Sequence, residues 1–121
     1  MKLFLDDIRN APDETWTVAR TINSAIKIID MFFPEVISLD HDISIEVDVG
    51  GLVRPYPSIE TFQAVARYIA LSHFARNYNP EIIIHTANPV GAVEMQYVLS
   101  PTGLKIDILP MGAANRLEME T

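Results

Sequence analysis

Three short apolar runs, each followed at once by polar residues, constrain the fold of this chain more than any other feature. They cover residues 3–5, 36–39 and 82–84. Short, continuously apolar runs are typical of strands that are covered on both faces, as strands are in parallel sheets. The helical spacing of apolar residues between the runs predicts the crossovers that parallel strands need. We therefore expect an α/β fold with an open, doubly wound parallel sheet of five strands.

Two further strands complete the predicted sheet. Residues 16–20 form the second strand candidate, and residues 106–109 form the fifth, which Pro110 closes. A chain of 121 residues suits one domain. We predict that this domain covers residues 1–110 and that residues 111–121 form a C-terminal tail.

Each predicted helix begins at a residue that can cap it with a side-chain oxygen. The three caps are Thr21, Ser58 and Asn88. Pro34 ends the first helix, and Pro89 suits the first turn of the third. The second helix would turn four apolar residues towards the core: Ile59, Phe62, Ala66 and Ile69.

A segment of strict alternation between apolar and polar residues lies between the third strand and the second helix. It covers residues 43–49, and a Gly50-Gly51 pair separates it from a second extended run that ends at Tyr56. Two extended runs around two glycines are typical of a hairpin with a tight turn. We expect this hairpin, near residues 43–56, to act as a lid, a substrate-selecting flap, or an edge that pairs with another subunit.

The charge and composition exclude several classes of function. The net charge is −7, and nine Lys and Arg residues form no basic cluster, which argues against binding to duplex DNA. A small phosphorylated molecule or one nucleic-acid end can still bind if a metal supplies positive charge. The absence of cysteine fits a reducing compartment, and no stretch is long and apolar enough for a membrane, so we expect a cytoplasmic location.

Chemically reactive side chains follow the central strands. They are Asp6 and Asp7 after the first, Asp40, His41 and Asp42 after the third, and His85, Thr86 and Asn88 after the fourth. Parallel strands place these ends along one edge of the sheet, where ligands of open α/β sheets bind. Residues distant in sequence are therefore predicted to share one crevice.

Asp6, Asp7 and Asp40 are predicted to hold a divalent metal, Mg²⁺ or Mn²⁺, with Asp42 as a further ligand. Hard cations select oxygen ligands, and Mg²⁺ in proteins commonly binds one or two carboxylates together with water and substrate phosphate. The alternative for each single aspartate is a structural one, in which it caps a loop by accepting hydrogen bonds from backbone amides.

The remaining residues are candidates for proton transfer and phosphate binding. His85 could act as a general acid or base, could bind the metal, or could only hydrogen-bond a neighbour. His41 is a weaker catalytic candidate because strand alternation would turn it away from the aspartates on either side. Arg9 could clamp a phosphate or form a surface salt bridge. Thr86 could bind phosphate oxygens, as could the amides near Asn88, which also caps its helix.

Three motifs together resemble the cyclic-phosphate-processing receiver-like domain over about residues 1–98. They are Leu5-Asp6-Asp7-Ile8-Arg9, Ser38-Leu39-Asp40-His41-Asp42 and Ile84-His85-Thr86-Ala87-Asn88-Pro89. The resemblance implies a sheet of the receiver, or flavodoxin-like, type. The family usually turns quickly through glycine into the next helix after Asp42, so the predicted hairpin near residues 43–56 is an insertion that departs from the family pattern. It also implies an activity on cyclic phosphates such as those at RNA ends.

Comparison with ordinary receiver domains separates the functional hypotheses. Asp40 occupies the phosphoacceptor position, but the lysine usual after the fifth strand is missing, because Leu109 precedes Pro110 and Lys105 lies at the other end. We therefore favour a metal-dependent phosphoesterase that acts on a 2′,3′-cyclic nucleotide or RNA end. The alternatives are a receiver phosphorylated on Asp40 in signalling, and a non-catalytic module that binds a nucleotide or a protein.

Overall fold

A computed structural model describes residues 1–110 of the chain. Its strands are β1 (Lys2–Leu5), β2 (Trp16–Ala19), β3 (Val36–Leu39), β4 (Asp42–Val49), β5 (Leu52–Thr61), β6 (Glu81–Thr86) and β7 (Ile106–Pro110). Its helices are α1 (Ile22–Phe32), α2 (Gln63–Arg76) and α3 (Pro89–Leu99), and a short 3₁₀ turn follows at Ser100–Thr102. The predicted tail, residues 111–121, lies outside the described residues.

Five strands form one parallel sheet in the order β2-β1-β3-β6-β7. This is the strand order 2-1-3-4-5 of flavodoxin-like sheets, in which ligands bind where the order reverses, between the first and third strands. The predicted α/β fold of the receiver type is confirmed. Strand β6 runs further than predicted, so that His85 and Thr86 lie within it.

One face of the sheet carries the hydrophobic core. Its strand residues are fully buried and form a single cluster with residues of all three described helices. The strand members are Leu3, Leu5, Ala19, Ile37, Leu39, Ile82 and Ile84. Because side chains alternate along a strand, Phe4, Ser38 and His85 lie on the opposite face, where each is also buried. No helix of the described residues is long and apolar enough to cross a membrane.

Two of the three predicted caps are confirmed. The Thr21 hydroxyl accepts a hydrogen bond from the Ser24 amide at 3.1 Å, and the Ser24 side chain reaches back to the Thr21 backbone. The Asn88 side chain accepts from the Gly91 amide at 3.1 Å, and Pro89 occupies the first position of α3. Helix α1 ends just before Pro34, as predicted.

The predicted cap at Ser58 is wrong, because Ser58 lies inside strand β5. Strand β5 continues to Thr61, which pairs with Asp42 of β4. Pairing with a neighbouring strand therefore overrides the local capping signal, and α2 begins only after Phe62, without a side-chain cap among the described residues. Ile59 consequently belongs to the strand, whereas Phe62, Ala66 and Ile69 are buried in the core as predicted.

Strands β4 and β5 form a separate two-stranded antiparallel sheet, which confirms the hairpin. The turn is the Gly50-Gly51 pair, with φ values of +63° and +85° that glycine adopts without strain. The hairpin is longer than predicted, since it begins at Asp42 and ends at Thr61. Its base therefore adjoins the carboxyl end of β3.

Because Thr21 caps a helix and Ser58 lies in a strand, the two residues should differ in how much they contribute to stability. We expect Thr21→Ala to lower the free energy of unfolding by about 1 kcal/mol, because the first turn of α1 loses its cap. Ser58→Ala removes only an exposed contact to the Glu60 amide, and its effect should lie within about 0.5 kcal/mol of zero. Urea denaturation followed by circular dichroism measures both, and equal losses would contradict the strand assignment of Ser58.

Candidate functional site

A cavity of about 160 Å³ lies at the carboxyl ends of β1, β3 and β6. It is lined by Asp6, Asp7, Ile8, Arg9, Asp40, Asp42, Ser44, Thr86 and Ala87. Six of the predicted site residues therefore meet at one place. The other three, His41, His85 and Asn88, do not line the cavity and lie behind its walls.

Asp6, Asp7 and Asp40 present one carboxylate oxygen each, and these oxygens lie within 4.8 Å of one another. Asp6 and Asp40 are buried, and Asp7 is half-buried. Oxygen ligands at this spacing, beside a cavity that leaves room for water or a phosphate oxygen, suit Mg²⁺ or Mn²⁺. The donor set therefore fits the predicted cation.

Asp6 is the most heavily hydrogen-bonded group of the site. Its Oδ1 accepts from the amides of Ile8 and Arg9, both at 2.9 Å, and its Oδ2 accepts from Arg9 Nη1 and His85 Nε2, both at 3.1 Å. Burial alone would raise the pKa of Asp6, but the hydrogen bonds from His85, Arg9 and Ile8 outweigh it and lower the pKa to about 2. Asp6 is therefore ionised at neutral pH.

The environment of Asp40 favours the ionised carboxylate less than the environment of Asp6 does. Its Oδ1 accepts from the His41 amide at 2.8 Å, and its Oδ2 lies 4.0 Å from Arg9 Nη1. Burial and then repulsion by the Asp6 charge raise the pKa of Asp40 to about 6. A divalent cation between the two carboxylates would remove that repulsion and favour the ionised form.

The other two aspartates connect the cavity to the hairpin. Asp7 Oδ2 accepts from the Ser44 amide of β4 at 2.6 Å. Asp42 Oδ1 contacts His41 Nδ1 at 2.8 Å and accepts from Asn88 Nδ2 at 3.4 Å. Asp42 lies on the cavity wall but outside the close oxygen cluster of the other three aspartates. Its role as a metal ligand stays a prediction.

Within the described residues, His85 contacts the lining of the cavity through Asp6. The ring is 2% exposed, stacks on Phe4 at 4.4 Å, and has Ser38 Oγ 2.6 Å from Nδ1. Because an ionised Asp6 can only accept, we assign a proton to His85 Nε2, and in that tautomer Nδ1 accepts from the Ser38 hydroxyl. This geometry favours a positioning role for His85, and its catalytic role stays a prediction.

The orientation predicted for His41 is wrong, because its Nδ1 contacts Asp42 directly. Strand alternation does not apply here, since β3 ends at Leu39 and β4 starts only at Asp42. His41 Nε2 lies 3.3 Å from Glu94 Oε2, but the geometry is too poor for a hydrogen bond. Among the buried side-chain atoms of residues 1–110, this nitrogen is the one without a hydrogen-bond partner.

Helix α3 makes room for His41 at Gly91. A Cβ atom at Gly91 would lie 2.5 Å from His41 Cγ and 2.6 Å from Nδ1, both far below van der Waals contact. The sequence reasoning missed Gly91, Glu94 and Ser38. A serine inside the apolar run 36–39 was a usable signal, whereas nothing in the sequence marks Gly91 or Glu94 as partners of His41.

The end of β7 that faces the site carries no lysine in the described chain. Leu109 pairs with His85 and Pro110 with Thr86, whereas Lys105 precedes the opposite end of the strand. Arg9 instead supplies positive charge beside Asp6 and Asp40. The strand end that carries a lysine in ordinary receiver domains therefore carries Leu109 and Pro110 in this structure, as the sequence predicted.

The parallel sheet, its strand order and the acidic cluster at its carboxyl edge define a receiver-like domain. The family model for the cyclic-phosphate processing receiver domain matches residues 1–101. The chain belongs to this family. No curated protein matches the chain significantly.

The raised pKa of Asp40 makes stability depend on pH. In the folded state its pKa is about 6, above the ordinary value of 3.8, so the folded protein loses stability as pH rises from about 4 to 6. Asp40→Asn removes this loss. At pH 7.5 without metal, we expect the free energy of unfolding of the variant to exceed that of the wild type by about 2 kcal/mol. The difference between the two proteins should be smaller at pH 4.

Asp6→Asn is the matched control for Asp40→Asn, and its effect should have the opposite sign. The pKa of Asp6 is lowered to about 2, so ionised Asp6 adds stability above pH 4, and this is lost in the variant. Urea melts at several pH values measure both variants. If the difference in free energy of unfolding between Asp40→Asn and the wild type does not change with pH, the raised pKa of Asp40 is contradicted.

Gly91→Ala should destabilise the protein, although alanine is normally preferred to glycine inside a helix by about 1 kcal/mol. The added Cβ would collide with the His41 ring, and overpacking of this kind costs about 1–3 kcal/mol. In a His41→Ala background the same change should be neutral or stabilising. A double-mutant cycle by chemical denaturation tests this, and equal effects in both backgrounds would show that His41 is not the obstacle.

Proposed function

We propose that the protein is a metal-dependent phosphoesterase that opens a cyclic phosphate, either in a 2′,3′-cyclic nucleotide or at an RNA end. The observation that carries the proposal is the cluster of Asp6, Asp7 and Asp40 oxygens within 4.8 Å, in a cavity shared with Arg9 and Thr86. Membership of a family described as processing cyclic phosphates supports the choice of substrate.

Asp6, Asp7 and Asp40 would hold the cation, Mg²⁺ or Mn²⁺. When bound, it would polarise a phosphoryl oxygen and acidify a water molecule. Asp6 is suited to this role because His85 and two backbone amides keep it ionised and fix its orientation. Asp40, whose pKa is raised by burial and by the Asp6 charge, would be favoured in its ionised form as a ligand of the cation.

Arg9 and Thr86 would bind the phosphoryl group. The Arg9 guanidinium lies between Asp6 and Asp40 and has a planar set of donors that matches phosphate oxygens. The Thr86 oxygen accepts from the Asn88 amide at 3.1 Å, which leaves the hydroxyl hydrogen to donate into the cavity. The first turn of α3, capped by Asn88, adds the positive end of its dipole nearby.

Asp42 and His41 form the pair best placed for proton transfer. The Asp42 carboxylate is about half exposed on the cavity wall, and His41 Nδ1 supports it from behind. The pair would take a proton from the attacking water and return one to the leaving ribose oxygen as its bond to phosphorus breaks. His85 would act on Asp6, as described above. The product is a phosphomonoester.

A second candidate, a receiver phosphorylated on Asp40, is favoured by one observation, the presence of Asp40 and Thr86 around the same cavity. The missing lysine at the end of β7 disfavours it. A non-catalytic binding module is the third candidate. We also propose a cytoplasmic location and association with a second copy through the outer edges of the β4–β5 hairpin, which pair with no other strand among the described residues.

The activity test uses 2′,3′-cyclic mononucleotides and short RNA with a 2′,3′-cyclic phosphate end, each with Mg²⁺, Mn²⁺ or a chelator. We expect metal-dependent opening to a phosphomonoester, detected by chromatography. Asp7→Asn should reduce the rate by at least about 100-fold, because it replaces an anionic ligand of the cation with a neutral one of the same size. Asp48→Asn, an exposed change on the hairpin, is the control and should retain full activity.

Survival of every substrate, in a protein that still binds the metal, would reject the hydrolase. Incubation with acetyl phosphate then separates the other two candidates. A mass increase of one phosphate that Asp40→Asn abolishes would identify a signalling receiver. An unchanged mass, together with thermal stabilisation by an unaltered nucleotide, would identify a binding module.

A further inference from the structure

A second, larger cavity adjoins the acidic one across the first residues of β4. It is an open groove of about 870 Å³ between the start of β4, the end of β5 and helices α1, α2 and α3. Asp42 and Ser44 line the acidic cavity, and Ile43 between them lines the groove. Arg20 also joins the two, because it lines the groove while its Nη1 donates to the Asp6 carbonyl at 3.1 Å.

The volumes of the two cavities suit different parts of a substrate. Pockets that enclose ligands the size of a nucleotide usually measure about 300–1,000 Å³. The acidic cavity, at about 160 Å³, has room for a cation and a phosphoryl group but not for a nucleoside as well. The groove, at about 870 Å³, is within the range for one or two nucleotides.

The groove carries two guanidinium groups among mixed polar and apolar walls. Arg20 is held in place by the carbonyls of Asp6 and Arg9, and Arg67 is exposed on the first turns of α2. Guanidinium groups pair well with the oxygens of a phosphodiester. Ile22, Ile43 and Ala64 supply the apolar surface that a base or ribose would cover.

One wall of the groove is a chain of polar groups that ends at the acidic cavity. Gln63, with its amide oriented to satisfy its neighbours, accepts from Arg67 Nη2 at 3.3 Å and donates to Glu94 Oε2 at 3.1 Å. The same Glu94 oxygen lies 3.3 Å from His41 Nε2, the buried nitrogen without a hydrogen bond. The polar chain therefore runs from Arg67 on the groove to His41, whose Nδ1 contacts the Asp42 carboxylate on the wall of the acidic cavity.

We propose that this groove binds the nucleotides that precede a cyclic phosphate end, so that the substrate is an RNA strand rather than a free cyclic mononucleotide. Arg67 contacts the phosphodiester next to the end, and Arg20 contributes charge between the groove and the acidic cavity. The inference rests on the proposed function for the reaction itself. Binding of the strand is a separate property that can be measured without turnover.

The first experiment compares a tetranucleotide ending in a 2′,3′-cyclic phosphate with the matching cyclic mononucleotide. We expect a KM about tenfold lower for the tetranucleotide, the effect of one charge-assisted contact. Arg67→Ala should remove this advantage and leave the mononucleotide unchanged. Arg54→Ala is the matched control, because this exposed arginine lies about 20 Å along β5 from the groove residue Glu60 and should alter neither KM.

The second experiment measures binding by fluorescence anisotropy, with a labelled tetranucleotide that ends in a 3′-phosphate. Arg67→Ala should weaken binding about tenfold and lower the slope of log K against log salt by about 0.7, because one phosphate contact is lost. If Arg67→Ala weakens binding but no substrate is turned over, the hydrolase proposal is rejected and the groove proposal stands. Equal KM values for both substrates, or equal affinity of wild type and Arg67→Ala, would overturn the groove proposal even if cyclic mononucleotides are opened.

Discussion

The electrostatics of the site depend on the different environments of two neighbouring carboxylates, Asp6 and Asp40. Asp6 receives four hydrogen bonds and stays ionised, whereas Asp40, equally buried, receives one from a backbone amide and is repelled by Asp6. Negative charge is therefore concentrated where β1 and β3 end. Arg9 lies beside both carboxylates and offsets part of this charge, and a divalent cation would offset more of it.

The fold and the acidic cluster could be predicted because both depend on short-range rules. A continuous apolar run marks a buried parallel strand, and the residue after such a run lies at the ligand-binding edge. These rules placed Asp6, Asp7 and Asp40 together without any knowledge of helix packing. The glycine pair at positions 50 and 51 likewise determines its turn by its own backbone freedom.

The remaining features depend on contacts between distant segments, which one sequence does not display. Ser58 resembles a helix cap, but strand pairing with β4 decides its structure. His41 turns towards Asp42 because the chain bends between two strands, and Gly91 of a later helix provides the space. The inward hydrogen bonds of His85 require Ser38 on the adjacent strand, and they place the ring behind Asp6 rather than on the cavity wall.

The hydrogen bond from the Ser44 amide to Asp7 has a consequence for the hairpin. The Asp7 carboxylate both accepts this hydrogen bond and belongs to the candidate cation cluster, so cation binding as proposed would be thermodynamically coupled to the position of the hairpin base. Coupling of this kind is reciprocal: a shift of the hairpin base would change the cation affinity by the same factor with which the cation shifts the hairpin. If the proposed cation binds, the hairpin insertion would therefore adjust how tightly it is held.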